Sequence, residues 1–331
     1  MILLLSKLFH QSLSKKTVSN QKLVYLGPPG TFTHAAIDLM TVPWSGEIVA
    51  EKEVSDVVFA VESGSADTGL VPLENSVEGD VLSTLDELIF RAAQCFINEE
   101  IVVPISFVLA VPSSTKNAPV TKVLTHPHAA AQCKEFIKAN KIEVEFTAST
   151  ADACRIVAER KEAGLGAIAA TKGADTFGLF VKQTRLEDFA GGKTRMALIS
   201  RNLSSPTGHD KTTLVITPVA DRNGLLSDIL TCFAKRDIGL TSISSRPLKT
   251  RLGEYTFMVS ARGHIGEPTL QAAIMDVSNL GAAVKVLGSY PMNPEISSAR
   301  VGESLPPGSV TSDVLKEWVE RLVKAATEVP R

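Results

Sequence analysis

A hydroxyl and a guanidinium stand side by side in Gly191-Gly192-Lys193-Thr194-Arg195-Met196-Ala197-Leu198-Ile199, at the mouth of an apolar strand. An arginine fork grips a carboxylate through two parallel hydrogen bonds, and the neighbouring hydroxyl can donate to a reacting or departing oxygen. A second polar cluster, Glu74-Asn75-Ser76, also lies just past an apolar run. Together the two clusters imply one site for a small acid, because ligand crevices in α/β folds lie beyond the carboxyl ends of strands. Thr31 or Thr33 can cap a helix starting near His34. Ser149-Thr150-Ala151-Asp152 opens another helix, whose N-terminus is a natural seat for a carboxylate. Two further patterns are set aside. The turn Gly27-Pro28-Pro29-Gly30 lacks two amide donors and the dinucleotide glycine spacing, and His126 and His128 have no nearby thiolate or carboxylate to complete a metal set.

The elements that must position these residues alternate short apolar runs with helical patterns. Strands are expected at 23–26, 48–50 and 69–73, followed by a helix with Val81, Leu82, Leu85, Leu88 and Ile89 on its apolar face. A second lobe is expected from Val102, with strands at 107–111, 120–124, 142–146 and 166–169, and the chain should return to the first lobe near Leu186. The arrangement predicts lobe 1 over 22–101 plus 187–203 and lobe 2 over 102–186, with Thr194 and Arg195 facing the cleft between them. Residues 204–211 read as a polar linker. Beyond it, the order strand, helix, strand, strand, helix, strand over 212–290 predicts a ferredoxin-like domain, and 291–331 reads as a tail with one helix.

The bulk chemistry narrows the ligand. A chain of 331 residues, 44% hydrophobic and 21% charged, is long enough for two or three domains. A net charge of -2 argues against nucleic acid or an anionic membrane as partner. No apolar stretch reaches the roughly 18 residues that cross a bilayer. The four cysteines are widely spaced and read as reduced, buried thiols. Residues 1–21 carry lysines and no acidic residue; they are expected to be a disordered extension of a cytoplasmic protein, with organellar import as the alternative.

Five motifs in order resemble prephenate dehydratase followed by an ACT regulatory domain: 25–33 (YLGPPGTFT), 71–79 (VPLENSVEG), Thr125-His126-Pro127, Ser149-Thr150-Ala151 and Thr194-Arg195-Met196. The resemblance implies a catalytic domain over 22–203 with the two-lobed, periplasmic-binding-protein-like fold. The activity it implies is loss of water and carbon dioxide from prephenate to give phenylpyruvate. It implies Thr194 and Arg195 as catalytic residues and Thr33, Glu74, Asn75, Ser76, Ser149 and Thr150 as substrate contacts. On the residues' own chemistry, Arg195 would hold the pyruvyl carboxylate, Thr194 would donate to the leaving oxygen and Glu74 would organise its loop. Phenylalanine is implied as effector, at Asn223, Gly224, Leu225 and Leu226 together with Ser244, Ser245, Arg246 and Pro247, between ACT domains of a homodimer or homotetramer. Here the family's usual Gly-Ala-Leu-Val and Glu-Ser-Arg-Pro are altered, and Met196 replaces the usual phenylalanine. No metal or organic cofactor is implied, since departure of a leaving group with aromatisation needs neither. Arogenate as substrate, or a sensor that binds an aromatic acid without transforming it, are the alternatives.

Overall fold

The computed structural model describes residues 21–220, 222–249, 253–297, 309 and 312–327. The extension expected over 1–21 therefore lies outside the described residues except for Gln21. Two compact units divide the chain, Met1–Asn293 and Pro294–Arg331. The larger contains strands β1 (Lys22–Leu26), β2 (Glu47–Glu51), β3 (Thr68–Asn75), β4 (Gly79–Asp80), β5 (Phe96–Pro104), β6 (Val108–Val111), β7 (Lys122–Thr125), β8 (Glu143–Phe146), β9 (Leu165–Ala169), β10 (Phe180–Thr184), β11 (Lys193–Ser200), β12 (Asp210–Pro218), β13 (Leu240–Pro247), β14 (Tyr255–Arg262) and β15 (Ala282–Pro291). In the smaller, the helix Ser312–Thr327 carries Leu315, Val319 and Leu322 at helical spacing along one side.

In the first lobe β2, β1 and β3 run parallel, and β11 lies antiparallel between β3 and β5. The helix Val54–Ser63 packs Val57, Val58 and Val61 into this lobe's core and stops where Gly64 turns left-handed at φ 80°. The second lobe is a five-stranded sheet ordered β10-β6-β9-β7-β8. Its central strand β9 is buried throughout, and its small residues Gly166, Ala167 and Ala169 let neighbouring elements approach closely.

Beyond β11 the chain forms β12, helix Leu225–Ala234, β13, β14, helix Pro268–Asn279 and β15, with sheet order β13-β14-β12-β15. This is the expected βαββαβ order. One face of that sheet carries the two helices over Leu214, Ile216, Ile229, Phe233 and Val259. The other face turns Val215, Met258, Leu287 and Tyr290 onto Leu85 and Leu88 of the first lobe, so the sheet is buried on both sides.

Two joints fasten this domain to the first lobe. At one, β15 runs parallel to β5 with Gly288 opposite Ile97, making a single ten-stranded sheet. A Cβ on Gly288 would lie 2.3 Å from the Ile97 carbonyl oxygen and 2.8 Å from its nitrogen, so only glycine permits this approach. Gly288→Ala is expected to force the strands apart and cost about 1–3 kcal/mol; an unchanged denaturant midpoint would contradict the joint. At the other, Lys285 Nζ donates to the carbonyls of Leu88, Ile89 and Ala92 at 2.7, 2.9 and 2.5 Å, ending the π-helical turn Glu87–Arg91. The start of that turn is gripped as well, where Arg246 and Lys249 contact Asp86 at 2.7 and 2.6 Å.

Three boundaries differ from expectation. β5 was not foreseen, and because Val102, Val103 and Pro104 pair with β11 the first lobe's sheet continues past Val102. Strand β12 begins at Asp210, inside the expected linker, and β15 extends through Gly288 to Pro291.

Candidate active site

The chain crosses between lobes twice, side by side. Ile105 N donates to Gly192 O at 2.7 Å, and Phe107 N donates to Glu187 Oε2 at 2.9 Å. Next to this crossing a cavity of about 300 Å³ opens, lined from the first lobe by Thr33, Asn75 and Thr194 and from the second by His126, Gln132 and Thr150. Its size suits a small ligand. Apolar walls come from Phe32, Val81, Phe107 and Met196, and the rings of Phe32 and Phe107 meet edge to face at 5.5 Å.

Strand pairing sets the polar centre. β3 and β11 place Asn75 opposite Thr194 and Glu74 opposite Arg195. Successive side chains on a strand point to opposite faces, so the pairs part company: Asn75 and Thr194 face the cavity, while Glu74 and Arg195 face away. A bulge in the β3–β11 pairing opposite Arg195 and Met196 leaves Leu73 as the extra residue and keeps both Pro72 and Asn75 on the cavity side. Asn75 Oδ1 accepts from Val77 N at 2.8 Å and Glu78 N at 3.2 Å, which fixes its amide group the other way round at the far end. Its Nδ2 then donates to Thr194 Oγ1 at 3.0 Å. With a lone pair so engaged, the Thr194 hydroxyl is left with its own proton to offer into the cavity.

Arg195 departs from the substrate-clamp expectation. Its Nη2 meets Glu74 Oε2 at 2.7 Å and its Nη1 meets Glu100 Oε1 at 2.6 Å. The Glu100 side chain is 0% exposed and also pairs with Lys211 Nζ at 2.7 Å. Tyr290 donates from its hydroxyl to Glu100 Oε1 at 3.1 Å. Two carboxylates and two cations thus balance behind the strand. Burial opposes the charge on Arg195, but Glu100 and Glu74 outweigh it and raise its pKa, whereas burial dominates at Lys211 and lowers it. Burial, aided by Glu100, pushes the Tyr290 phenol well up, so it stays a protonated donor.

The other predicted contacts divide. Thr33 is buried and lines the cavity, as does Thr150. Ser76 instead joins the strand ends, its Oγ accepting from Lys193 N at 2.9 Å. Ser149 caps the helix Thr150–Arg160 by accepting from Asp152 N at 3.0 Å. Thr31, not Thr33, caps the helix Phe32–Ile37. Of the implied effector residues, Asn223, Gly224, Leu225 and Leu226 lie at the start of helix Leu225–Ala234, with Leu225 in the core. Ser244, Ser245, Arg246 and Pro247 lie on the edge strand β13, where Ser244 Oγ and Arg246 Nε are buried without partners. Sequence reasoning missed His126, His128, Gln132 and Glu78 as lining residues. The run Thr125-His126-Pro127-His128, at the end of a strand and the start of a helix, carried the signal.

His126 does double duty, because its Nδ1 accepts from His128 N at 3.3 Å and so caps the helix Pro127–Gln132. His128 Nδ1 reaches Glu78 Oε1 at 3.0 Å, spanning the cleft. A second cross-cleft pair, Lys172 Nζ to Asp38 Oδ2, is 2.5 Å long. Burial, then His128, lowers the His126 pKa; burial, then Lys172, lowers that of His34, whose Nδ1 accepts from Gly30 N. Both folded-state values are depressed, so the unfolded chain binds more protons and stability is lost as pH falls below about 6.5. A melting temperature that declines from pH 7.5 towards 5.5, less steeply in His126→Asn, which keeps the cap, is the expected record.

Among the described residues no cluster of three His, Cys, Asp or Glu side chains is placed to hold a metal, and no helix is long and apolar enough to cross a membrane. The architecture is that of a two-lobed binding cleft joined to a ferredoxin-like domain.

Comparison with known proteins gives that architecture a family. Residues 23–204 match the prephenate dehydratase family model. The bifunctional chorismate mutase/prephenate dehydratase of Aquifex aeolicus is 38% identical over 85% of this chain and 75% of its own length. The prephenate dehydratase of Bacillus subtilis is 33% identical over 81% of this chain and 98% of its own. Among solved structures, prephenate dehydratase from Arthrobacter aurescens in complex with L-Phe superposes with a TM-score of 0.74 at 31% identity, covering 92% of this chain and 99% of that one. The chain belongs to the prephenate dehydratase family.

Proposed function

We propose that the cleft converts prephenate to phenylpyruvate, and the observation that carries this is the Thr194 hydroxyl, fixed by Asn75 with its proton free towards the cavity. In the reaction the ring carboxylate leaves as carbon dioxide, its electron pair moves into the ring, and the ring hydroxyl departs as hydroxide, which takes a proton from solvent to become water. Thr194 hydrogen-bonds to that departing oxygen and stabilises the charge developing on it. Phe32, Val81, Phe107 and Met196 hold the ring, and the N-terminus of helix Thr150–Arg160 with the Thr150 hydroxyl receives the pyruvyl carboxylate. Among the described lining residues none is Lys or Arg. A fixed cation would stabilise the carboxylate that has to leave, so a cavity without one favours its departure.

Glu78, already paired with His128, is the one carboxylate among the described residues lining the cavity. An arogenate ammonium would need an unpaired acceptor, which favours prephenate over arogenate. The domain over 212–290 is read as an ACT domain that binds phenylalanine as a feedback effector between paired copies in a homodimer or homotetramer. The buried orphan atoms of Ser244 and Arg246 support a polar ligand near β13. Four buried free thiols suit a reducing, cytoplasmic setting. Incubating the protein with prephenate and, separately, arogenate while following aromatic absorbance, with and without phenylalanine, tests all of this. Turnover of prephenate that phenylalanine lowers is expected; binding without turnover of either acid would make the protein a sensor.

A further inference from the structure

Arg195 sits beside the catalytic hydroxyl yet spends both ends of its guanidinium on carboxylates behind the strand. Glu100, the deeper of the two, receives Arg195 from β11 of the first lobe and both Lys211 of β12 and Tyr290 of β15 from the C-terminal domain. Tyr290 in turn meets Thr213 Oγ1 at 2.7 Å, and Thr213 meets Ser260 at 3.0 Å, carrying the network across the C-terminal sheet. Asn293 Nδ2 adds a hydrogen bond of 3.1 Å to the Glu100 backbone carbonyl. Residue 195 can therefore keep its place only while two strands of the other domain keep theirs, and residue 194 is covalently next to it.

We propose that Glu100 is a positioning residue, through which Lys211 and Tyr290 of the C-terminal domain set the strand that presents Thr194 to the substrate. The inference builds on the prephenate dehydratase reading and gives the C-terminal domain a direct hold on the catalytic strand. It also gives a reason for a charged group in a fully enclosed place: a carboxylate shared by cations from two domains specifies one docking of the two, whereas an apolar contact would tolerate sliding.

The experiment uses the full chain with Tyr290→Phe, Lys211→Met and, as control, Thr217→Val, which removes a comparable hydroxyl pair with Thr256 in the same sheet. Tyr290→Phe takes away one hydroxyl and leaves the Glu100–Arg195 pair intact, so it folds even if Lys211→Met does not. Expected is a fall in kcat of about fivefold or more in Tyr290→Phe with KM for prephenate within about twofold, because misplacement of a reacting group lowers turnover more than binding. Amide hydrogen exchange over 193–196 should speed up in the same variant and not in Thr217→Val. Wild-type kcat and wild-type exchange at 193–196 in folded Tyr290→Phe would overturn the proposal. If the wild type fails to turn over prephenate, the functional reading falls, while the exchange comparison still decides the positioning role.

Discussion

Thr194→Ala is expected to lower kcat about 100- to 1,000-fold while KM for prephenate stays within about threefold. In the proposed role the hydroxyl makes its strongest contact only as the leaving oxygen gains charge, so its loss would fall on the transition state rather than on binding. The fold should survive the change. Asn75 Nδ2 loses its partner, worth about 1 kcal/mol, but the same amide still accepts from Val77 and Glu78 through Oδ1 and keeps its place. Thr194→Ser, which restores a hydroxyl, should recover most of the rate. Steady-state kinetics on the three proteins decide the matter, and a near-normal kcat in the alanine variant would remove Thr194 from the chemistry.

The second large effect separates two roles for Arg195. A substrate clamp replaced by methionine would raise KM and leave stability alone. The structure leads to the opposite signature: Arg195→Met leaves Glu74 without this cation and the enclosed Glu100 with Lys211 as its one remaining cation, and removing one partner of a buried ion pair costs about 3–5 kcal/mol. A melting temperature lower by more than about 5 °C is expected, with kcat falling through the displaced neighbour rather than through lost affinity. Unchanged stability with a selectively raised KM would restore the clamp. Magnitude favours the anchored arginine: freeing it to meet substrate would leave a fully enclosed carboxylate with Lys211 as its remaining ionic partner.

How much of this was legible before the fold was known follows from what a sequence encodes locally. That Thr194 and Asn75 serve one site could be foreseen, because both sit at the ends of apolar strands; that they pair on adjacent strands of one lobe could not. Which of two adjacent residues faces the ligand could not, since Thr194 and Arg195 alternate faces and only the neighbouring sheets decide which face is the cavity. β5 was invisible for a related reason. Asn98, Glu99 and Glu100 interrupt its apolar run, and Glu99 binds Thr41 in an exposed contact while Glu100 is enclosed. Nothing in two consecutive glutamates announces that difference. Lys211, in a stretch that reads as linker, and Tyr290, the last residue of the expected ferredoxin-like domain, both find their partners only in the assembled sheet. The βαββαβ order, by contrast, was plain from spacing alone, because each element there carries its own amphipathic pattern.

The contacts across the cleft are of a different kind from those behind β11. His128–Glu78 and Lys172–Asp38 stand partly in water, with Glu78 48% and Asp38 61% exposed. Dissolved ions reach them, and at 1 M ionic strength the screening length shrinks to about 3 Å. Adding salt should therefore loosen the grip of one lobe on the other while the enclosed Glu100 cluster is unaffected. An inert electrolyte would thus offer a dial that opens the cleft without disturbing the strand that carries Thr194.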